Sequence, residues 1–145
     1  MLRLLAISSL AAGLALAAVA PTIAEPAGFR VIVNAANPAT KFDKQFVADA
    51  FLKKRTRWSD DRAIQPVDLG QKTSARDAFS HAVLGRDVVS VRRYWAQRVF
   101  AGRGVPPPEL ANDSEVVKFV AAHSGAIGYV AADAALAGVK VVEVN

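Results

Sequence analysis

Cysteine is absent from the 145-residue chain, and histidine occurs only twice, at His81 and His123. Without cysteine the chain cannot form a disulfide scaffold, a thiolate zinc site, a cysteine nucleophile or the acylated anchor of a bacterial lipoprotein. Neither histidine is followed by a second metal ligand at position i+3 or i+4, so we expect no metal. We expect His81 to form a surface ion pair with Asp77 on the same helix.

Sequence signals for catalysis are also missing. The chain contains no GxSxG sequence, and a Ser–His–Asp set would have to be assembled from unrelated loops. The adjacent carboxylates Asp60–Asp61 are typical of a solvated turn. We therefore expect no enzymatic activity, no catalytic residue and no cofactor.

Residues 1–24 have almost no charge, since they contain 18 apolar residues and one charged residue, Arg3. A basic start, an apolar run and small residues at Thr22 and Ala24 are typical of a cleavable export signal. The alternative is an uncleaved membrane anchor, for which a run of about 17 residues is barely long enough. We expect cleavage after Ala24 and secretion of one domain, residues 25–145.

Basic residues outnumber acidic ones, with 18 Lys and Arg against 13 Asp and Glu. Nucleic acid is not an expected partner of an exported chain, so this charge favours anionic solutes, anionic lipid surfaces and acidic proteins. The basic run Lys53–Arg57 is typical of a solvated helix end with Trp58 packed below it. A second strip of arginines lies between Arg92 and Arg103. The alternative is that either segment binds an acidic partner.

The apolar pattern alternates between short β-branched runs and helical periods, which indicates an α/β domain. Pro66 favours an edge position for the second strand, because proline cannot donate to a sheet. Gly85 is the expected end of the second helix. The predicted strands are Phe29–Asn34, Ile64–Leu69, Ala126–Val130 and Val139–Val144. The first predicted helix follows Asp43, and the next two span Thr73–Leu84 and Asp87–Phe100, the latter burying Val88, Val91, Trp95 and Val99. The fourth begins at Asp113 or Ser114 and runs through Ala122.

The strongest local signal for a binding site is the segment Lys72–Arg76, which follows Gly70. Here we expect a strand, a glycine-containing loop and a helix start, an arrangement whose free backbone N–H groups can bind an anion. Two hydroxyls and two basic side chains in the segment add donors and positive charge. The alternative is structural, because Ser74 and Asp77 have the spacing of a capping box.

Five stretches together carry a family resemblance: VIVNAANP at Val31–Pro38, FLKKRTRW at Phe51–Trp58, TSARDAF at Thr73–Phe79, YWAQRVFAGRGVPPPE at Tyr94–Glu109 and SGAIGYV at Ser124–Val130. In this order they resemble the periplasmic phosphate-binding proteins of phosphate ABC transporters, and more closely their short, single-lobe relatives. The resemblance implies a three-layer α/β lobe of the type II periplasmic-binding-protein fold. Its central mixed sheet would have four to five strands with flanking helices, and the protein would be periplasmic.

The resemblance also implies which residues bind a ligand. In that family a Ser–Gly–Thr turn at a helix start helps to hold phosphate between two lobes. Here the turn corresponds to Thr73–Ala75: Thr73 keeps a hydroxyl, Ser74 replaces the glycine with a less flexible residue, and Ala75 lacks the second hydroxyl. The residues expected to bind phosphate or a similar oxyanion are Lys72, Thr73, Ser74, Ala75 and Arg76.

The length of the chain limits the expected affinity. The matched motifs belong to one lobe of a two-lobed clamp, and the 121 residues after Ala24 are too few to supply the other. In the family the other lobe provides a carboxylate that accepts the proton of phosphate. A single lobe leaves the anion in water, where its contacts are screened. We expect binding of roughly −4 to −6 kcal/mol unless a second chain, as in a homodimer, closes the site.

The leading hypothesis is therefore a secreted lobe that binds phosphate or a similar oxyanion weakly, with a link to phosphate ABC transport. The alternative is a ligand-free interaction module that docks on an envelope protein through Lys53–Arg57 or the Arg92–Arg103 strip. A phosphate-ester hydrolase is a third hypothesis, for which the sequence offers neither a metal site nor a nucleophile.

Overall fold

The computed structural model describes residues 28–145, which form a five-stranded sheet, a two-stranded ribbon and four helices. The predicted export signal, residues 1–24, lies outside the described residues. The strands are β1 (Phe29–Asn34), β2 (Lys41–Phe42), β3 (Gln65–Pro66), β4 (Asp68–Leu69), β5 (Glu109–Leu110), β6 (Ala126–Ala131) and β7 (Val139–Val144), and the helices are α1 (Lys44–Phe51), α2 (Ser74–Phe79), α3 (Val88–Phe100) and α4 (Asp113–Ala122).

The sheet has the order β2-β7-β1-β6-β3 and is mixed. The central strand β1 is antiparallel to β6 and β7, whereas β2 and β3 are parallel to their neighbours. Pro66 lies in the edge strand β3, as predicted, where its missing N–H leaves no gap in the ladder. The predicted strand Ile64–Leu69 is not continuous: after Val67 the chain leaves the sheet and pairs with β5 as β4.

Helices cover both faces of the sheet, which confirms the predicted three-layer α/β architecture. Successive residues of β6 point to opposite faces. Gly128 lies against Val116 and Val120 of α4, and the next residue, Tyr129, stacks on Phe79 of α2 with ring centroids 3.9 Å apart. The core therefore has two halves, one on each side of β6.

The helix ends follow local sequence signals. Asp87 caps α3 by accepting a hydrogen bond from the Ser90 amide at 2.6 Å. Helix α2 continues as a wider π-helical turn over Ser80–Leu84 and ends at Gly85, whose φ of 63° is left-handed, as expected for a glycine at this position. The cap of α4 is Asn112, one residue before the predicted start.

Helix α3 buries only part of its predicted apolar stripe. Val91 and Trp95 are buried, as predicted, but Val99 is 51% exposed, so the expectation that it is buried was wrong. The reason is that the end of α3 and residues 101–106 lie at the surface. The last residue of the helix, Phe100, is 96% exposed.

Candidate functional site

Thr73 fixes the start of α2. Its backbone is extended, with φ −80° and ψ 142°, and its hydroxyl oxygen accepts the Arg76 amide at 3.2 Å. The same hydroxyl donates to the Gly70 carbonyl at 2.9 Å. The predicted capping box of Ser74 and Asp77 was therefore wrong, because the cap lies one residue earlier. This shift makes Ser74 the first residue of the helix.

The first two amide groups of α2 remain without an acceptor. Among the hydrogen bonds within residues 28–145, neither the Ser74 N–H nor the Ala75 N–H has a partner. Such groups point out of a helix along its axis and give the start a partial positive charge. Ser74 and Lys72 are exposed, whereas the side chain of Ala75 is buried. The exposed helix start therefore combines free backbone donors with a lysine.

The Arg76 side chain turns into the protein, where only 2% of it is exposed. Its Nη1 atom donates to the Leu69 carbonyl at 2.8 Å, and it lies 3.3 Å from an oxygen of Asp68 and 3.5 Å from an oxygen of Glu109. Its Nε atom is buried without a hydrogen-bond partner among the described residues. Of the two basic side chains in the predicted site, only Lys72 thus lies exposed at the helix start.

Asp68 is the buried acid that faces Arg76. The Tyr129 hydroxyl donates to Asp68 at 2.7 Å and accepts the Leu69 amide at 3.3 Å. Burial raises the pKa of Asp68 from 3.8 to about 6, although Arg76 and the Tyr129 hydrogen bond oppose the rise. Burial also raises the pKa of Tyr129, and the nearby Asp68 charge adds to the effect. This network joins the start of α2 to β4, β5 and β6.

A cavity of about 290 Å³ lies beside this network and is lined from three segments, with Asp68, Gln71 and Arg76 on one side, Val91, Arg92, Trp95 and Ala96 of α3 on another, and Pro106 and Glu109 on the third. The sequence alone did not identify Asp68 and Glu109 as partners of Arg76, or Tyr129 as the partner of Asp68. One available signal was the charged Asp68 within the apolar run Ile64–Leu69, since buried charges are normally paired.

The basic run Lys53–Arg57 does not converge on a common point. Lys53 has a left-handed φ of 55° just after α1, and the Arg55 guanidinium lies 5.1 Å from the centre of the Phe46 ring. Arg57 lies 3.7 Å from Asp61 in an exposed ion pair. Trp58 is buried and donates its indole N–H to the Gly125 carbonyl at 3.0 Å, which confirms the expectation that it packs below the run.

Both histidines have local partners. His81 lies 3.5 Å from Asp77, which confirms the predicted ion pair. The Nδ1 atom of His123 lies 2.7 Å from the Phe119 carbonyl oxygen, and its ring stacks on that phenylalanine. Within residues 28–145, no three histidine or carboxylate side chains gather in a way that could hold a metal ion.

A larger cavity of about 730 Å³ lies away from α2, between α4 and the segment before β7. Five of its ten lining residues are alanines, and among the lining side chains only Ser114 and Lys118 can donate to an oxyanion. In the same part of the chain, residues 28–145, no helix has both the length and the apolar character needed to cross a membrane.

Several solved structures share this fold. One, from Clostridium perfringens, was assigned as a phosphate ABC transporter substrate-binding protein and has bound phosphate; it is 21% identical, with a TM-score of 0.63. An ABC-type phosphate transport receptor from Vibrio cholerae is 19% identical with a TM-score of 0.60, and PstS from Borrelia burgdorferi is 11% identical with a TM-score of 0.61. Each likeness covers 81% of this chain but only 44%, 46% and 47% of the respective structure.

The chain thus spans less than half the length of these proteins, with the fold expected from the resemblance. No curated protein matches it significantly. The family described as PBP superfamily domain matches residues 27–144, nearly all of the part that the structure describes. The chain therefore belongs to the PBP superfamily domain family.

Proposed function

We propose that this protein is a substrate-binding lobe that holds phosphate or a similar oxyanion at the start of α2 and catalyses no reaction. The observation that carries the proposal is the pair of free amides at Ser74 and Ala75 beside the exposed Lys72. Backbone N–H groups at a helix start are well suited to a tetrahedral anion, because their dipoles are fixed before it arrives. Membership of the family and the likeness to a phosphate-bound structure support this choice of ligand.

The five residues of the proposed site have different roles. Ser74 and Ala75 donate their amides to the anion, and Lys72 adds a mobile positive charge. Thr73 does not need to contact the ligand, since its hydroxyl already holds the loop at Gly70. Arg76 does not face the anion; its buried contacts with Leu69 and Asp68 stabilise the first turn of α2.

The site is expected to bind weakly. Ser74 and Lys72 are exposed, so water screens the charges there, and the carboxylate of Asp77 in the first turn repels an anion. These conditions are consistent with an affinity of roughly −4 to −6 kcal/mol. The nearest buried carboxyl, Asp68, is engaged by Tyr129 and Arg76, so we expect no strong preference for phosphate over sulfate.

The proposal includes a location and partners. We propose that residues 1–24 direct export to the periplasm and are removed after Ala24, so that the secreted product begins at Glu25. There the lobe would supply phosphate to an ABC transporter, and a second copy of the chain would close the site. Mass spectrometry of the exported protein tests the cleavage, and sedimentation with and without phosphate tests the closure.

A proline substitution tests the amide donors directly. Ser74→Pro removes one N–H at the first helical position, where proline is well tolerated, and the extended backbone of Thr73 suits a following proline. Val88→Pro makes the same change at the first residue of α3, after the extended Asp87. Calorimetric titration with inorganic phosphate should show at least about a tenfold loss of affinity for Ser74→Pro, given that a hydrogen bond to a charged group contributes about 1.5–3 kcal/mol.

The control should bind phosphate as the unmodified protein does. Equal affinity of Ser74→Pro and Val88→Pro, both correctly folded, would mean that phosphate binds elsewhere or not at all. Lys72→Met provides a second variant, which should weaken phosphate and sulfate binding alike because it removes charge without changing the helix start.

A further inference from the structure

Helix α3 presents an apolar stripe to solvent. Val89 is 54% exposed and Phe100 is 96% exposed. The spacing i, i+4, i+7 and i+11 describes four residues in order, Val89, Arg93, Ala96 and Phe100, and places them on one side of the helix. The buried pair Val91 and Trp95 lies on the opposite side. Val99 and Val105 extend the apolar surface, since they are 51% and 62% exposed.

The charge of this segment is positive, and the nearest carboxylate in sequence is that of Asp87, which caps the start of α3. Residues 88–105 contain four arginines and no aspartate or glutamate. Arg92, Arg93 and Arg103 are exposed. Arg98 is partly buried, and its guanidinium lies 5.3 Å from the centre of the Tyr94 ring. We call this surface the α3 outer face; it consists of Val89, Arg92, Arg93, Ala96, Val99, Phe100, Arg103 and Val105.

The α3 outer face is not suited to a second copy of the chain. In a symmetric dimer through this surface, each copy would bring the same arginines against those of the other. With no carboxylate in residues 88–105 to balance them, the two copies would repel each other. The partner must therefore carry negative charge and also accept exposed apolar side chains.

We propose that the α3 outer face docks on an anionic phospholipid surface. Helices that lie in a bilayer interface combine arginines with apolar side chains that enter the boundary between headgroups and acyl chains. Phe100 and Val105 would occupy that boundary, and Arg92 and Arg93 would pair with lipid phosphates. A lipid surface is favoured over an acidic protein because exposed arginines and exposed apolar side chains alternate along the whole α3 outer face, which matches an extended negative plane with an apolar layer beneath it.

The absence of cysteine allows a local test on the full chain. A single cysteine at Ala101, next to Phe100, is labelled with a fluorophore that brightens in an apolar environment. Ala35, an exposed alanine in the turn after β1, provides the matched control position. Because the label reports only its own surroundings, an apolar segment elsewhere in the chain does not mimic the signal. The probes are vesicles of phosphatidylcholine with and without phosphatidylglycerol.

The label at position 101 should brighten at least about twofold with phosphatidylglycerol vesicles, and added salt should reduce the change. Phosphatidylcholine alone, and the label at position 35, should give little change. Replacing Arg92 and Arg93 by serine should abolish the response. Replacing Arg55 and Arg57 by serine removes the same charge from another exposed surface and should leave it intact.

Three results would overturn the proposal. The first is no brightening at position 101 with anionic vesicles. The second is an equal response at both labelled positions or an equal loss for both arginine pairs, which would indicate general attraction of a basic protein. The third is brightening with polyglutamate but not with vesicles, which would assign the α3 outer face to an acidic polypeptide.

Discussion

Arg76 connects more of the structure than any exposed residue of the proposed site. Through Nη1 its guanidinium contacts the Leu69 carbonyl and two carboxylates, Asp68 and Glu109, which lie on different strands. These strands form the ribbon of β4 and β5, and Arg76 itself lies in the first turn of α2. Its burial means that the start of α2 is held by an ion pair that water hardly screens.

Arg76→Met should destabilise the protein by about 3–5 kcal/mol at neutral pH, because Asp68 would remain buried without its cation. The loss should be smaller at pH 4, where Asp68 can take up a proton. Arg57→Met removes an arginine from an exposed ion pair and should cost less than about 1 kcal/mol. Urea unfolding measures both variants. Equal small losses would show that the buried pair does not hold α2 in place.

Asp68 should give the stability a distinct pH dependence. Its pKa rises from 3.8 to about 6 on folding, so between these pH values the folded protein retains a proton that the unfolded chain has released. The contribution of this group to the free energy of unfolding therefore falls as pH increases from about 4 to about 7. Asp68→Asn has no titrating group at this position. Its free energy of unfolding, measured in urea at each pH, is therefore subtracted from that of the unmodified protein, and the difference isolates the contribution of Asp68. A difference that is flat or increases with pH would contradict the assignment.

The residue-level roles could be predicted only where neighbours in sequence decide them. The Asp77–His81 pair and the buried Trp58 follow from local spacing, whereas the cap at Thr73 lies one residue before the one that the spacing of Ser74 and Asp77 predicts. The buried contacts of Arg76 and Asp68 do not follow from local spacing, since Glu109 is 33 residues from Arg76 and Tyr129 is 61 residues from Asp68. Only folding brings these groups together, and the sequence pattern alone therefore suggested an arginine available to an anion.

At the scale of elements, strand β6 organises the fold because it lies between β1 and β3 and contacts helices on both faces. Its glycine, Gly128, permits α4 to approach closely. A Cβ atom there would lie 2.9 Å from Val116, 3.0 Å from Val67 and 3.2 Å from Val120. These are branched side chains in a packed interior, so they have little room to move.

Gly128→Ala should therefore destabilise the protein by about 1–3 kcal/mol through overpacking between β6 and α4. Gly70→Ala is the matched control, since the nearest atoms to its added Cβ would be 3.8 Å away. That variant should change the stability by no more than about 1 kcal/mol. Thermal unfolding of the two proteins provides the comparison. Similar melting temperatures would show that the α4 contact adapts easily.

The elements that sequence analysis predicted are those with a full apolar period or a terminal signal. Strands β1, β6 and β7, the ends of α3 and the stop at Gly85 belong to this group. The two-residue strands β2 and β5 are too short to have a period, and their partners β7 and β4 are distant in sequence. The break in the strand after Val67 could not be predicted for the same reason, because it depends on the pairing of β4 with the distant β5.

At the scale of the whole molecule, the chain forms one three-layer α/β unit that matches the PBP superfamily domain along almost all of the described residues. The solved structures that share its fold are about twice as long, so this chain corresponds to only part of each of them. This explains why we propose weak binding for the chain by itself. The α3 outer face gives the unit a second surface that does not depend on the oxyanion.

The most direct test of the central claim is an amide NMR titration with inorganic phosphate. The account predicts saturable shifts of the Ser74 and Ala75 amides at millimolar to high micromolar phosphate, a similar response to sulfate and no shift of the Val88 amide at the start of α3. If the Ser74 and Ala75 amides stay in place at millimolar phosphate, or move no more than that of Val88, the start of α2 is not an oxyanion site.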